Sequence, residues 1–387
     1  MSDTQETALF FATDKDIYDL LTSSKKKATK SFLLEVARSR GIFLSHEDDQ
    51  AEIIDYFSLL PHDYNDLRIL LDQTKPGARR ERSTSHYLSL NANIEILRQA
   101  SNELKNERAV LHGEQYNIQA SSESNFRITV NYNELDYSRT RLRQKIAKET
   151  TIECKISDGN VTIRRSIGEK PKSIVQSFID KLNDVQDELV EDYKIELSGI
   201  SEPHGRTLFF TYLINNLPNF RLEDVSNIKV DQRIETPEGE NYISDTEFIE
   251  GDADDTTVAE ESTVEDETML GVVRQASFQG NALLSSKEYQ TLHRAGFYIC
   301  KIVWVALEDT LENPKVEFEA SFENPPAGTG FNYSVKGLYR KKTGGGYTGT
   351  RRSISTVERD KYLRLLEQSA KQAIEIVEGS IGDNLVP

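Results

Sequence analysis

The apolar residues change period partway along the chain, and that change limits the folds open to it. Between Asp14 and about Gln73 they recur at helical spacing: Ile17, Leu20 and Leu21, then Leu33, Leu34, Val36 and Ala37, then Ile53, Ile54, Tyr56, Phe57 and Leu60. From Asn125 the period is two, with Phe126, Ile128, Val130 and Tyr132 alternating with polar neighbours, followed by Ile152, Cys154 and Ile156 and by Val161 and Ile163. Helical spacing is also expected from about Asn91 to Asn106, in the basic run Arg139 to Lys148, and from Lys172 to Glu191. Phe297 to Leu307, Val316 to Phe322 and Phe331 to Tyr339 alternate like strands. Val357 to Glu378 closes the chain as a long amphipathic helix. Asp158-Gly159 has the turn chemistry of a hairpin. This order describes an α+β chain with a small helical N-terminal module, a mixed α/β middle domain and a C-terminal antiparallel sheet with a covering helix.

The second constraint is a charge block. Glu235 to Thr268 holds fourteen Asp or Glu residues and no Lys or Arg. Removing fourteen from the 64 acids of the chain leaves 50 against 47 bases, so the net charge of −17 is a local property. With few bulky apolar side chains, the tract has little to set against its ordering entropy and is expected to be an acidic flexible linker or loop. It serves either as a spacer or as a polyanion mimic competing for a basic face. At 387 residues the chain has room for two or three domains. The expected division is 1–74 for the helical module, 75–234 for the α+β middle domain, 235–270 for the linker and 271–387 for the C-terminal α+β domain.

Several classes are disfavoured. The longest strongly apolar run, Phe297 to Leu307, contains Lys301 and is too short for a bilayer, which needs about 20 residues. No membrane partner is expected. The start lacks the basic and apolar regions of a secretory signal, and a cytoplasmic location is expected. Cys154 and Cys300 sit on alternating apolar segments and read as buried, reduced thiols. His46, His62, His86, His112, His204 and His293 are dispersed without metal-ligand spacing, and no cofactor or metal is expected. Trp304 reads as sheet core.

Three basic zones carry the remaining signal. Phe32 to Ile42, with Arg40-Gly41-Ile42 at its end, is followed by the helix opening Gln50-Ala51-Glu52-Ile53-Ile54. Residues 28–60 thereby resemble the SAP or helix-extended-helix family, which implies two short helices around an extended segment and contact with DNA. Asp48, Asp49 and Gln50 stand where the family carries a lysine. The resemblance therefore implies phosphate contact through Lys25, Lys26, Lys27, Lys30, Arg38 and Arg40. Arg139, Arg141 and Arg143 form a second zone. In the third, Arg340, Lys341, Lys342, Arg351 and Arg352 flank Gly344-Gly345-Gly346 and Tyr347. Glycine backbone there would approach phosphate, the cations would neutralise it, and Tyr347 would stack on a base.

One arrangement points to catalysis. Glu153-Cys154-Lys155 has the Glu-x-Lys spacing of PD-(D/E)xK nucleases, in which a carboxylate holds Mg²⁺ and the lysine orients water, with Asp136 as a second ligand. The leading expectation is a non-catalytic nucleic-acid-binding subunit, engaging double-stranded DNA, of a prokaryotic DNA-processing or anti-phage defence assembly. A protein partner or homo-oligomer is expected with it. The alternatives are a protein scaffold or adaptor and the metal-dependent nuclease.

Overall fold

The computed structural model describes residues 11–75, 81–90, 92–157, 159–186, 189–233, 274–280 and 282–383. The acidic linker expected at 235–270 lies outside the described residues. Among these residues the chain is α+β, with nine α-helices and a large antiparallel sheet. It forms two compact units.

One unit takes the described residues up to 75 together with 102–118 and 128–151. Its helices α1 (Asp14–Ser23), α2 (Lys30–Ser39), α3 (Gln50–Ser58) and α4 (Tyr64–Gln73) each open on a capping side chain: Thr13, Thr29, Asp49 and Asp63. At α1 the cap is reciprocal: Thr13 Oγ1 accepts from Asp16 N at 3.2 Å, and Thr13 N donates to the Asp16 carboxylate at 2.9 Å. The apolar stripes that set the helical period meet in one core, where Leu20, Leu21, Leu33, Ile53, Phe57 and Leu70 are buried. α2 stops at Gly41, whose φ of 73° reaches the left-handed region. Gly41 N donates to Arg38 O at 3.0 Å and Ile42 N to Ala37 O at 2.9 Å, which satisfies the last carbonyls and turns the chain sharply.

The basic run Arg139 to Lys148 does not form the expected helix. It is a single 3₁₀ turn, Arg141–Arg143, followed by strand β4 (Lys145–Ser157). Leu142 is buried in the helical core, and the flanking arginines reach outward to the helices, which leaves no apolar stripe for a longer helix.

The other unit holds 81–101, 119–127 and the described residues from 152 onward. Its strands are β1 (Ser83–Ser89), β5 (Asn160–Ser166), β6 (Glu191–Tyr193), β7 (Phe220–Asp231), β8 (Gln275–Gln279), β9 (Tyr298–Glu308), β10 (Lys315–Asn324) and β11 (Thr329–Tyr339). Parts of β4, β2 (Gln115–Ser122) and β3 (Asn125–Leu135) join them. The order is β2-β3-β4-β5-β1-β11-β10-β9-β7-β8, with β6 on β1. β7 pairs with both β8 and β9, and β1 pairs with β5 and β11. Residues expected to form separate middle and C-terminal domains thus share one sheet.

Helices α5 (Ile94–His112), α6 (Glu169–Gln186), α7 (Pro203–Asn215), α8 (Lys287–Arg294) and α9 (Thr356–Asp383) complete the described elements. The apolar face of β9, β10 and β11 is covered by α7 and α9. Trp304, Phe318, Phe322, Phe331 and Tyr333 lie in one core with Phe209, Phe210, Leu213, Tyr362, Leu366 and Ile374. The rings of Phe209 and Phe331 meet edge-on at 5.4 Å, and Trp304 stacks on Phe318 at 5.4 Å, so the tryptophan is a core residue. Cys154 and Cys300 are buried and unlinked; burial pushes both thiols up, Cys300 to about 12. No described helix is long and apolar enough to cross a membrane.

Candidate functional site

The three basic zones divide into cations used by the fold and cations left at the surface. In the helical unit, Lys27 donates to Lys75 O, and Lys30 donates to the carbonyls of His46 and Asp48. Arg40 pairs with Asp66 at 3.3 Å and donates to His62 Nδ1 at 3.2 Å. Arg139 pairs with Asp136 at 2.7 Å inside its own turn. Arg141 pairs with Asp16 at 2.6 Å and lies over the Phe11 ring, while Arg143 donates to Leu71 O at 2.8 Å and to Thr74 Oγ1. The second zone is therefore a clamp on α1 and α4. Lys25, Lys26 and Arg38 remain exposed.

The third zone, in the sheet unit, is an ordered extension of β11. Thr348 N donates to Arg340 O at 3.0 Å, Lys342 N to Gly346 O at 2.9 Å and Gly345 N to Lys342 O at 3.0 Å. Gly345 and Gly346, at φ of 90° and 75°, supply the left-handed conformations this tight hairpin requires. Arg352 then bridges back to Leu338. Two expected contacts are already engaged. The Lys315 ammonium lies 4.3 Å from the centre of the Tyr347 ring, whose hydroxyl donates to Asn313 O, and Arg351 pairs with Glu317 at 2.6 Å. Arg340, Lys341, Lys342 and Arg352 are exposed on the hairpin.

The Glu-x-Lys pair lies on β4, both residues on one face. Glu153 is bound at each oxygen, by Arg127 at 2.6 Å and by Arg164 at 2.7 Å. Lys155 is exposed. Asp136 belongs to the other unit, where its carboxylate takes Ser138 and Arg139. Among the described residues, no three His, Cys, Asp or Glu side chains are grouped to hold a metal ion.

Around Arg164 the structure assembles a network that the sequence reading did not find. This side chain, on β5, binds Glu153, Asp360 and Glu367, the last two from α9. Glu367 also accepts from Ser85 at 3.1 Å and from the Tyr333 hydroxyl. Burial works against the Arg164 charge, but Glu367, Tyr333 and Asp360 together outweigh it and raise the guanidinium pKa. The Asp360 carboxyl, which burial would raise, is held below its usual range by Arg164 and Arg364. A signal was present in α9: Glu367 falls between Leu363 and Ala370 at helical spacing, a charge inside the buried stripe. A second buried carboxylate, Glu319 on β10, meets Lys301 at 3.2 Å, Lys336 at 3.0 Å and Arg82 at 3.1 Å. Burial would raise this carboxyl; the three cations hold it low.

No known family model matches this sequence, and no curated protein is significantly similar to it.

Proposed function

We propose that the chain is a non-catalytic nucleic-acid-binding protein that engages double-stranded DNA through the basic hairpin 340–352. As a subunit it would serve a prokaryotic DNA-processing or anti-phage defence assembly. The observation that supports this reading is the ordered hairpin itself, which fixes Arg340, Lys341, Lys342 and Arg352 at the surface on a hydrogen-bonded β extension. Cations held in place lose less freedom on meeting phosphate than cations on an irregular loop. Lys25, Lys26 and Arg38 at the surface of the helical unit add to the reading through its resemblance to SAP modules.

The test is retention on double-stranded DNA across a salt series. Binding should weaken steeply with salt. Reversing Arg340, Lys341, Lys342 and Arg352 to Glu should cost about tenfold or more at low salt, equally for unrelated sequences, and flatten the salt slope by roughly one per lost phosphate contact. No binding at low salt overturns the proposal. The scaffold reading has its own support in Phe43, Tyr56, Leu59 and Tyr64, large side chains exposed on the helical unit. A native mass showing a stable oligomer that excludes DNA would favour it.

A further inference from the structure

In the sheet unit a small open cleft with about 40 Å³ of room for a water-sized sphere lies over the Arg164 network, lined by side chains that include Asn125, Arg127, Lys155, Thr162, Arg164 and Arg364. That is room for an ion-sized group rather than for a whole drug-sized molecule. The carboxylates beneath it are already occupied: Glu153 by Arg127 and Arg164, Asp360 by Arg164 and Arg364, Glu367 by Arg164, Ser85 and Tyr333. The cations are not equally committed. Arg127 donates to Glu153 through Nη2, and Arg364 donates through Nη2 to Asn125 Oδ1 at 3.1 Å and pairs with Asp360 at 2.8 Å. Each guanidinium carries five N–H donors, so both keep donors beyond those fixed contacts. Both side chains are more than a third exposed, at 40% and 37%. Lys155 adds an exposed ammonium at the same cleft.

We propose that this cleft is a binding site for a phosphate group, gripped by Arg127 and Arg364 with Lys155 as a third cation. The carboxylates act as positioning groups. Glu153 and Asp360 hold the two rim arginines, and Arg164, anchored by Glu367, holds both carboxylates. The two guanidiniums, each held through Nη2, keep Nε and Nη1 donors for phosphate oxygens, and the fixed contacts lower their ordering cost before the ligand arrives. Asn125 and Thr162 supply neutral polar groups to the lining.

The experiment is calorimetric titration of the full chain with inorganic pyrophosphate at low salt. Binding is expected, weakened about tenfold or more by Arg364→Gln and by Arg127→Gln and several-fold by Lys155→Gln, as loss of charge-assisted bonds implies. Lys155 stands outside the ion network, so its variant tests the site even if the arginine variants unfold. The hairpin variant Lys341→Glu/Lys342→Glu should bind pyrophosphate like wild type. Absence of binding at millimolar pyrophosphate overturns the proposal, as does unchanged affinity in Lys155→Gln together with folded Arg364→Gln. A short single-stranded oligonucleotide that displaces pyrophosphate would identify the phosphate source as a nucleic-acid strand, and failure to displace would identify a small phosphorylated molecule; the site stands in both cases. Loss of DNA retention with pyrophosphate binding intact would remove only the DNA reading.

Discussion

Arg164 concentrates the electrostatics of the sheet unit on one side chain. Three carboxylates, on β4 and α9, converge on it, and its side chain is only 9% exposed. Arg164→Met would leave Glu153, Asp360 and Glu367 facing one another without their shared cation. The expected loss is about 3–5 kcal/mol, read as a lower urea midpoint. Glu319 gives a pH prediction. Its carboxyl is held below its ordinary value of 4.5, so the folded state gives up this proton more readily than the unfolded chain. The resulting stability is present above 4.5 and is lost as pH falls through the lowered folded value. Glu319→Gln should therefore flatten the decline in melting temperature below about pH 4.5 relative to wild type. At this scale the sequence was only partly readable. Trp304 and both cysteines were placed by alternation alone. Glu153 and Lys155 stand out by their spacing, but the groups that decide what Glu153 does are Arg127 and Arg164 on other strands, and Arg164 is itself held by Asp360, 196 residues away on α9.

Elements with an unbroken period were legible. The first three N-terminal helices, β9 to β11 and α9 lie where the apolar spacing puts them, and α4 falls inside the stretch to Gln73 read as helical. β7 was missed because three register irregularities, at Leu222/Asp224, Val225/Asn227 and Lys229/Val230, shift the phase of its alternation. β1, with the sequence Ser-Thr-Ser-His-Tyr-Leu-Ser, has too few apolar side chains to register at all, and it buries Ser83 and Ser85 instead. Two predictions belong to the helical unit. Gly41 ends α2 in the left-handed region with open space around it, so Gly41→Ala should cost about 1–2 kcal/mol from backbone strain alone, seen in thermal unfolding. His62 Nε2 donates to Phe57 O at 2.8 Å and Nδ1 accepts from Arg40, and burial pushes the imidazole pKa below the ordinary 6.5. The unfolded chain therefore takes up the proton first. Stability carried by neutral His62 is complete above 6.5 and declines as pH falls from there towards the lowered folded value. The drop in melting temperature between about pH 7.5 and about pH 5.5 should shrink in His62→Gln.

At the scale of the whole molecule, charge and connectivity dominate. If the acidic run is a competitor for the basic surface, deleting Pro237 to Asp266 should tighten DNA binding at low salt and have little effect at high salt; equal affinity at low salt assigns it to spacing alone. Composition marks where a chain is acidic and not which strands pair around the acidic run: β7 and β8, one before it and one after, pair from Asn227 with Gln279 to Asp231 with Gln275. β1 shows what that pairing entails while the protein is being made. Ser85 meets Tyr333 across 248 residues, so the β11 side of β1 waits through the synthesis of most of the chain. At cellular rates of about 5–20 residues per second that delay is roughly ten to fifty seconds. An unpaired strand edge exposed for so long is an invitation to misassembly. The polar side chains that keep β1 out of the hydrophobic pattern also give its waiting edge little apolar surface to offer a wrong partner, until Tyr333 and Glu367 emerge and take up Ser85.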